Sequence, residues 1–149
     1  MPATKKTAAK KTAPAFTTDE QAAMKARSDE IKAAKKKGGE DDEPALLAKI
    51  AEMPPSDRKL AEQVHRIVRD SGPELTCRTW YGMPAYAKDG KVVCWFKAAD
   101  KFKARYATIG FSDQAALDNG NMWPTEYAVT DLTQADEAKL AKLVKQAVR

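Results

Sequence analysis

The stretch LTCRTWYGMPAYAKDGKVVCWFK, at residues 75–97, decides the fold of this 149-residue chain. Apolar and polar residues alternate along it, as they do in β-strands that bury one face. Asp89-Gly90 separates two such runs and is typical of a two-residue hairpin turn, which would place Ala85 opposite Cys94. Gly82-Met83-Pro84 should interrupt the pairing, because proline has no N–H to donate to a ladder. The stretch therefore predicts an antiparallel sheet.

Helical patterns flank this sheet. Ser56 is a good N-cap for a helix with one apolar face, and Gly72-Pro73 would end that helix. Thr133 and Asp136 form a capping-box pattern at the start of a last amphipathic helix. The other predicted elements are a helical turn at 46–50, strands at 103–111 and 127–129, and a short helix that Ser112 begins and Gly120 ends. This order predicts a two-layer α+β domain in which the N- and C-terminal helices pack on one face of an antiparallel sheet.

Composition divides the chain into three parts. Residues 1–16 contain mostly Lys, Ala, Thr and Pro, which predicts a disordered basic tail, because little apolar area is there to offset the entropy of ordering. Residues 17–43 predict a marginal charged helix and an acidic linker, since Met24 and Ile31 alone make a thin apolar stripe. Residues 44–149 form the compact domain, which holds ten of the chain's eleven aromatic side chains.

Alternation along the strands leaves one face of the sheet without helices. Aromatic and basic side chains share that face, and the neighbouring turn supplies a methionine and a proline. The residues predicted to bind a ligand or partner are Arg78, Trp80, Met83, Pro84, Tyr86, Trp95 and Tyr106. Such a surface suits a protein, a planar ligand or nucleic-acid bases. The alternative is that Met122, Trp123 and nearby loops cover these rings as a second small core.

Two short patterns are compatible with metal ions. Glu62 and His65 lie three residues apart on one helix face, a spacing found in carboxylate metal sites. The alternative for this pair is structural, because Glu62 and Arg66 have the spacing of an ordinary surface ion pair. The acidic run at 40–43 could hold a hard cation through oxygen ligands, or could serve as a solvated linker beside the basic helix.

No catalytic arrangement is recognisable in the sequence. The chain has one histidine, no plausible nucleophile beside it and no phosphate-binding loop, so a non-enzymatic protein is expected. Cys77 and Cys94 fall at apolar strand positions and are expected to be small buried hydrophobes. Without a secretory leader or an apolar run of membrane-spanning length, a cytoplasmic protein with reduced thiols and no membrane partner is expected.

The excess positive charge belongs to the N-terminal part of the chain. Residues 1–37 carry a formal charge of +6, whereas residues 38–149 carry −1. Lys5, Lys6, Lys10 and Lys11 are therefore candidate contacts to the phosphates of DNA or RNA, without sequence preference. The alternative is that the tail only helps to keep the protein in solution.

The run TWYGMPAYAKDGKVVCWFKAADKF, at residues 79–102, resembles the YdhG-like domain family of bacterial proteins, which are often described as frataxin-like. The resemblance rests on Tyr81–Tyr86, on Gly90-Lys91 and on Phe96 leading to Lys101-Phe102-Lys103, and it extends over roughly residues 44–149. It implies an antiparallel sheet backed by two helices. At least one member is regarded as an intracellular iron chaperone, so the resemblance also implies weak Fe²⁺ binding at surface carboxylates and an iron-accepting protein partner that docks on the sheet.

The function predicted from the sequence is a non-enzymatic cytoplasmic binding module that docks partners through the aromatic and basic sheet face. The resemblance adds iron carriage to this prediction. The first alternative is a nucleic-acid-associated protein that uses its basic tail, and the second is an enzyme whose catalytic residues form no recognisable pattern.

Overall fold

A computed structural model describes residues 18–37 and 41–149 of the chain, and for residues 28–37 it describes the backbone alone. The predicted tail at 1–16 and its four lysines lie outside the described residues. The described elements are α1 (Thr18–Lys37), α2 (Glu43–Ala51), α3 (Pro55–Ser71), β1 (Thr76–Trp80), β2 (Met83–Lys88), β3 (Lys91–Lys97), β4 (Ala107–Phe111), β5 (Glu126–Val129) and α4 (Gln134–Ala147). None of the described helices combines the length and the apolar character needed to cross a membrane.

The five strands form one open antiparallel sheet in the order β1-β2-β3-β4-β5. Helices α2, α3 and α4 bury their apolar residues in one core with the sheet, and the largest fully buried side chains come from both layers. Among them are Leu46 of α2, Val64 of α3, Phe96 of β3 and Val144 of α4. The predicted two-layer α+β architecture is therefore confirmed at this level.

The hairpin between β2 and β3 turns at Asp89-Gly90, as predicted. Both residues have positive φ angles, +53° and +79°, which suit a two-residue turn matched to the strand twist. Beyond the turn the register differs from the expectation, because Val93 is an extra residue that forms a β-bulge. Ala85 therefore pairs with Trp95 and not with Cys94.

The prediction that Gly82-Met83-Pro84 interrupts the pairing is wrong. Tyr81 and Gly82, with φ angles of +53° and +77°, form a two-residue turn, and Trp80 pairs with Met83 directly after it. Pro84 pairs with Thr79 at the next position, where antiparallel strands exchange no hydrogen bonds. The missing N–H of Pro84 therefore leaves no gap between β1 and β2.

Helix α3 begins at Pro55 with Pro54 as its N-cap, two residues before the N-cap predicted at Ser56. Proline suits the first helical position, where its missing N–H would have no helical partner. Asp57, only 4% exposed, accepts hydrogen bonds from the backbone N–H groups of Ala99 and Asp100 at 3.2 and 3.0 Å. The start of α3 is thereby attached to the loop that follows β3.

The predicted short helix at 112–120 is absent from this described segment, and β4 begins at Ala107 and not at residue 103. Ser112 Oγ accepts a hydrogen bond from Gln114 N, which closes a local turn. Ala115 and Leu117 are buried while the residues around them are exposed, so this segment packs with a period of two. Tertiary packing of these two side chains has overridden the helical pattern.

Helix α1 lies against β1 on the sheet face opposite α3 and α4, although its apolar stripe predicted only weak attachment. The contact is made by Ala23, which is 8% exposed, whereas Met24 is 49% exposed. A small side chain lets the helix backbone approach the aromatic rings of the sheet closely. Farther along α1, Arg27 adds a second contact by lying over the ring of Tyr81.

Candidate functional site

The sheet face opposite α3 and α4 contains an open cavity of about 340 Å³, called here the aromatic groove. Its lining residues come from α1, from all five strands, from the turn between β1 and β2, and from the loop after β3. They are Ala23, Trp80, Tyr81, Met83, Trp95, Lys97, Phe102, Thr108 and Glu126. The groove thus combines five large apolar side chains with one lysine and one glutamate.

Trp80 and Trp95 form the floor of the groove. The bulge at Val93 pairs Trp95 with Ala85, and Ala85 pairs in turn with Arg78, so Trp95 shares a face with Arg78 and Trp80. The two indole rings are 5.1 Å apart at a 58° tilt, and both side chains are partly exposed.

Gly110 of β4 lies directly beneath the indole ring of Trp95. The two residues pair across β3 and β4, and a Cβ atom at position 110 would lie 2.3 Å from the nearest ring carbon. Only glycine leaves room for the ring to lie flat across the strand. Sequence reasoning passed over Gly110, although a glycine inside a strand is a known indication that another group approaches the backbone closely.

Tyr81 forms the rim of the groove in an unusual backbone conformation. Its φ of +53° is uncommon for a residue other than Gly, Asn or Asp. The ring packs edge-on against Trp80, with centroids 5.1 Å apart, and the Arg27 guanidinium lies 5.4 Å above it. Both contacts stabilise a conformation that by itself costs about 1–3 kcal/mol.

Of the seven residues predicted to bind a partner, three line the groove, one shares its face without lining it, and three lie elsewhere. Trp80, Met83 and Trp95 line it, and Arg78 shares the face while its guanidinium donates a hydrogen bond to Gly90 O at 2.8 Å. Pro84 is fully buried, and it lines a second cavity of about 320 Å³ beneath the loop between α2 and α3. Tyr106 is exposed before β4, where Arg105 lies 5.0 Å over its ring.

The placement predicted for Tyr86 is wrong. Tyr86 is 1% exposed and lies on the face that packs against the helices, paired with Cys77 and Cys94. The physical reason is the bulge at Val93, because an extra residue in β3 brings Cys94 and not Val93 opposite Tyr86. Lys88 follows Tyr86 to the same face, and its Nζ donates to Val148 O at 2.8 Å.

The alternative prediction, that Met122 and Trp123 cover the aromatic rings of the groove, is also wrong. Met122 is 89% exposed, and Trp123 packs against the main hydrophobic core. The groove residues that lie outside the sheet are Ala23 of α1, Tyr81 of the β1–β2 turn and Phe102 of the loop after β3. The aromatic groove is therefore bounded by a helix and left partly open.

On the other face of the sheet, Tyr86 begins a chain of hydrogen bonds. Its Oη lies 2.9 Å from His65 Nδ1, and His65 Nε2 lies 2.8 Å from a carboxylate oxygen of Glu43. Burial raises the pKa of Tyr86 well above its ordinary value, so the phenol keeps its proton at neutral pH. The imidazole ring thereby connects the buried phenol to the Glu43 carboxylate.

Arg69 connects this series of hydrogen bonds to Cys77. Its Nε lies 3.3 Å from Glu43 Oε2, its Nη1 donates to Cys77 Sγ at 3.4 Å, and its Nη2 lies 3.4 Å from Asp41 Oδ2. Burial raises the pKa of the Cys77 thiol to about 12 even though the Arg69 charge opposes the rise. The thiol is therefore protonated at neutral pH.

The acidic run before α2 closes the free edge of β1. Asp42 N donates to Cys77 O at 2.8 Å, and the Asp41 carboxylate accepts a hydrogen bond from Cys77 N. Burial alone would raise the pKa of Asp41, but the hydrogen bond from Cys77 and the charge of Arg69 outweigh it and hold that pKa below its usual value. A segment predicted to be a solvated linker is thus part of the sheet edge.

Glu43, His65 and Cys77 bring one carboxylate oxygen, one ring nitrogen and one sulfur within 4.8 Å of one another, and are called here the Glu-His-Cys cluster. Glu62, the predicted partner of His65, is exposed, and both ring nitrogens of His65 contact Glu43 and Tyr86 instead. Glu43 is 22 residues from His65, so no local spacing could have shown this arrangement.

Both thiols of the chain are buried and free, as predicted from their strand positions. The aromatic groove and the Glu-His-Cys cluster lie on opposite faces of the sheet, and β1 contributes Trp80 to the first and Cys77 to the second. No family model matches the chain, and no curated protein or solved structure matches it closely enough to inform its function.

Proposed function

We propose that this chain is a non-enzymatic binding module whose aromatic groove docks an acidic segment of a partner protein. The observation that supports this most directly is the pair of partly exposed indole rings, Trp80 and Trp95, beside the ammonium group of Lys97. Tryptophan, tyrosine and arginine are the residues that most often dominate the binding free energy of protein interfaces. All three residue types occur in or around this groove.

Charge favours an acidic partner. Lys97 lines the groove, Arg27 lies at its rim over Tyr81, and Arg78 shares its face, whereas Glu126 is the one carboxylate among the lining residues. Basic groups next to aromatic faces attract carboxylates during the encounter and leave the rings to provide the apolar contact area. An acidic segment with one or two aromatic residues would satisfy both features.

The resemblance of residues 79–102 to the YdhG-like family supports a more specific proposal. On that basis the module works in the cytoplasm, holds Fe²⁺ weakly at surface carboxylates and meets an iron-accepting protein through the groove. The two-layer α+β architecture agrees with the fold which that family implies.

The docking proposal can be tested by nuclear magnetic resonance with a synthetic peptide of glutamates around a single phenylalanine. The three indole N–H signals of the chain make an internal control, because Trp80 and Trp95 line the groove while Trp123 packs against the main core. Signals of Trp80 and Trp95 should shift on titration, and that of Trp123 should not. Equal shifts of all three signals would contradict docking in the groove.

A charge-reversal pair separates the groove from general attraction. Lys97→Glu should weaken peptide binding about tenfold, because it places a negative charge beside the docked segment. Lys91→Glu is the matched control, since Lys91 is an exposed residue at the hairpin turn, outside the groove lining. If both variants weakened binding equally, the attraction would come from net charge and not from the groove.

A second candidate is binding of single-stranded nucleic acid, which the charge of +6 on residues 1–37 and the aromatic face both favour. Its affinity should fall with salt, with a slope of about −0.7 per phosphate contact on single strands. Removing residues 1–16 leaves α1 in place and tests the tail alone. Unchanged affinity for an oligothymidine after this truncation would exclude the tail as the binding element.

A further inference from the structure

We propose that Glu43, His65 and Cys77 form a binding site for a borderline-soft divalent metal ion, with Zn²⁺ the ion that suits the ligands best. The three residues offer one carboxylate oxygen, one imidazole nitrogen and one sulfur, a combination that zinc accepts readily. The site lies on the helix-facing side of the sheet. It does not depend on the docking proposal for the aromatic groove.

The spacing of the three ligand atoms is close to what an ion requires. Zinc binds such ligands at about 2.0–2.3 Å, so the ligands of a tetrahedral site lie roughly 3.3–3.8 Å from one another. The three atoms of the cluster already lie within 4.8 Å of one another. Small side-chain rotations of Glu43 and Cys77 would close the remaining distance.

His65 is held as a metal-binding histidine usually is. A ligating imidazole commonly has its second nitrogen in a hydrogen bond to a fixed oxygen, which sets the ring orientation. Here Nδ1 lies 2.9 Å from the hydroxyl oxygen of the fully buried Tyr86, to which its N–H would donate in the metal-bound state, and this leaves Nε2, now 2.8 Å from Glu43, as the ligand atom. This hydrogen bond uses the ring nitrogen that would not bind the ion, so it can persist when the ion is bound.

The guanidinium of Arg69 now lies where the metal ion would bind. Its guanidinium lies 3.3 Å from Glu43 and 3.4 Å from Cys77, so a metal ion must displace it. The Arg69 side chain is 33% exposed and already contacts Asp41 at its outer end, which provides a route for the guanidinium to move outward. Glu43, at 35% exposure, lies on the same open side and gives the ion a way in.

Charge also favours an ion at this position. With a protonated thiol, the two carboxylates of Asp41 and Glu43 outnumber the single charge of Arg69. When a divalent ion binds, the Cys77 thiol loses its proton to solvent and binds as the thiolate, and the charges of the cluster then balance. Because this proton must leave, metal affinity should increase with pH.

Cobalt(II) provides the test, because it takes zinc's position and its bond to a thiolate gives a charge-transfer absorption in the near ultraviolet. The full chain should show this absorption at pH 8, and added Zn²⁺ should remove it. Cys77→Ala should abolish the absorption, whereas Cys94→Ala, which removes the other buried thiol, should leave the Co²⁺ affinity within about twofold. Absence of the absorption from the wild-type chain at millimolar Co²⁺ would overturn the proposal, as would its survival in Cys77→Ala.

Two further variants cover the case in which Cys77→Ala does not fold. Glu43→Gln changes a partly exposed side chain and should weaken Co²⁺ binding by at least the roughly 10–100-fold that loss of an orienting residue usually costs. Arg69→Gln removes the competing cation and should strengthen binding. Unchanged affinity in Glu43→Gln, or weaker binding in Arg69→Gln, would contradict the site as assigned. None of these variants should alter peptide binding in the groove.

Discussion

Replacing Gly110 with alanine should show how tightly Trp95 is held on the groove floor. The added Cβ would lie 2.3, 2.4 and 2.9 Å from three atoms of the indole ring, whereas carbon atoms pack at about 3.5–4.0 Å. The ring would therefore have to retreat by more than about 1 Å, with Trp80 only 5.1 Å away to limit its movement. Overpacking of this kind costs about 1–3 kcal/mol.

The effect should depend on the indole ring. Trp95→Ala alone should cost more than the roughly 0.5–1.5 kcal/mol of an aromatic pair and less than the roughly 3–5 kcal/mol of a fully buried ring, because Trp95 is partly exposed. In that background the space above position 110 is empty, and Gly110→Ala should cost less than about 0.5 kcal/mol. The two substitutions should therefore show a coupling free energy of about 0.5–3 kcal/mol.

Urea unfolding of the wild type, both single variants and the double variant measures this coupling directly. Thermal melts provide a second reading, since each kcal/mol should lower Tm by about 4–8 °C in a domain of this size. Additive costs in the double variant would refute the reasoning, because they would mean that Trp95 does not lie over Gly110.

Three further predictions concern the helix termini. Asp57→Asn should lower the free energy of unfolding by about 1–3 kcal/mol, because an amide cannot accept from both backbone N–H groups, and urea unfolding beside the exposed control Asp118→Asn would show this. Thr133→Ala should cost about 0.5–2 kcal/mol in a thermal melt, since it removes the N-cap of α4. Hydrogen bonds from Thr133 hold the pKa of Asp136 below its ordinary 3.8, so this carboxylate stabilises the fold fully above that pH and loses its effect as the pH falls through the lowered pKa. Unfolding free energies of wild type and Asp136→Asn should therefore converge in acid; a constant difference would contradict the assignment.

Local chemistry was sufficient to predict the elements whose causes are local. Asp89-Gly90 is a turn because an aspartate and a glycine tolerate the positive φ angles that a two-residue hairpin needs. Thr133 and Asp136 form the predicted capping box because both partners are three residues apart on one helical turn. The same kind of argument placed the two cysteines in the core, since alternation within a strand needs no distant partner.

The sites were predicted less well, because their geometry depends on residues far apart in the chain. One extra residue at Val93 changed the register of β3, and this moved Tyr86 from the open face into the core. Nothing in the alternation of β3 distinguishes a bulge from a regular strand. Trp80 and Trp95 lie in the aromatic groove. The position of Ala23 next to them and the need for glycine at position 110 depend on how closely the helix and the Trp95 ring approach the sheet.

The sequence by itself determined the hairpin turn at Asp89-Gly90, the amphipathic helices on either side of the sheet segment and the enrichment of aromatic residues in one part of the chain. Each of these follows from the conformational preferences or the periodicity of neighbouring residues. Tertiary structure alone brought Glu43 to His65 and Cys77, because α2, α3 and β1 each place one ligand atom at a point where the three elements meet. A meeting point of this kind is a property of packing and register, and neither is encoded in the spacing of residues along the chain.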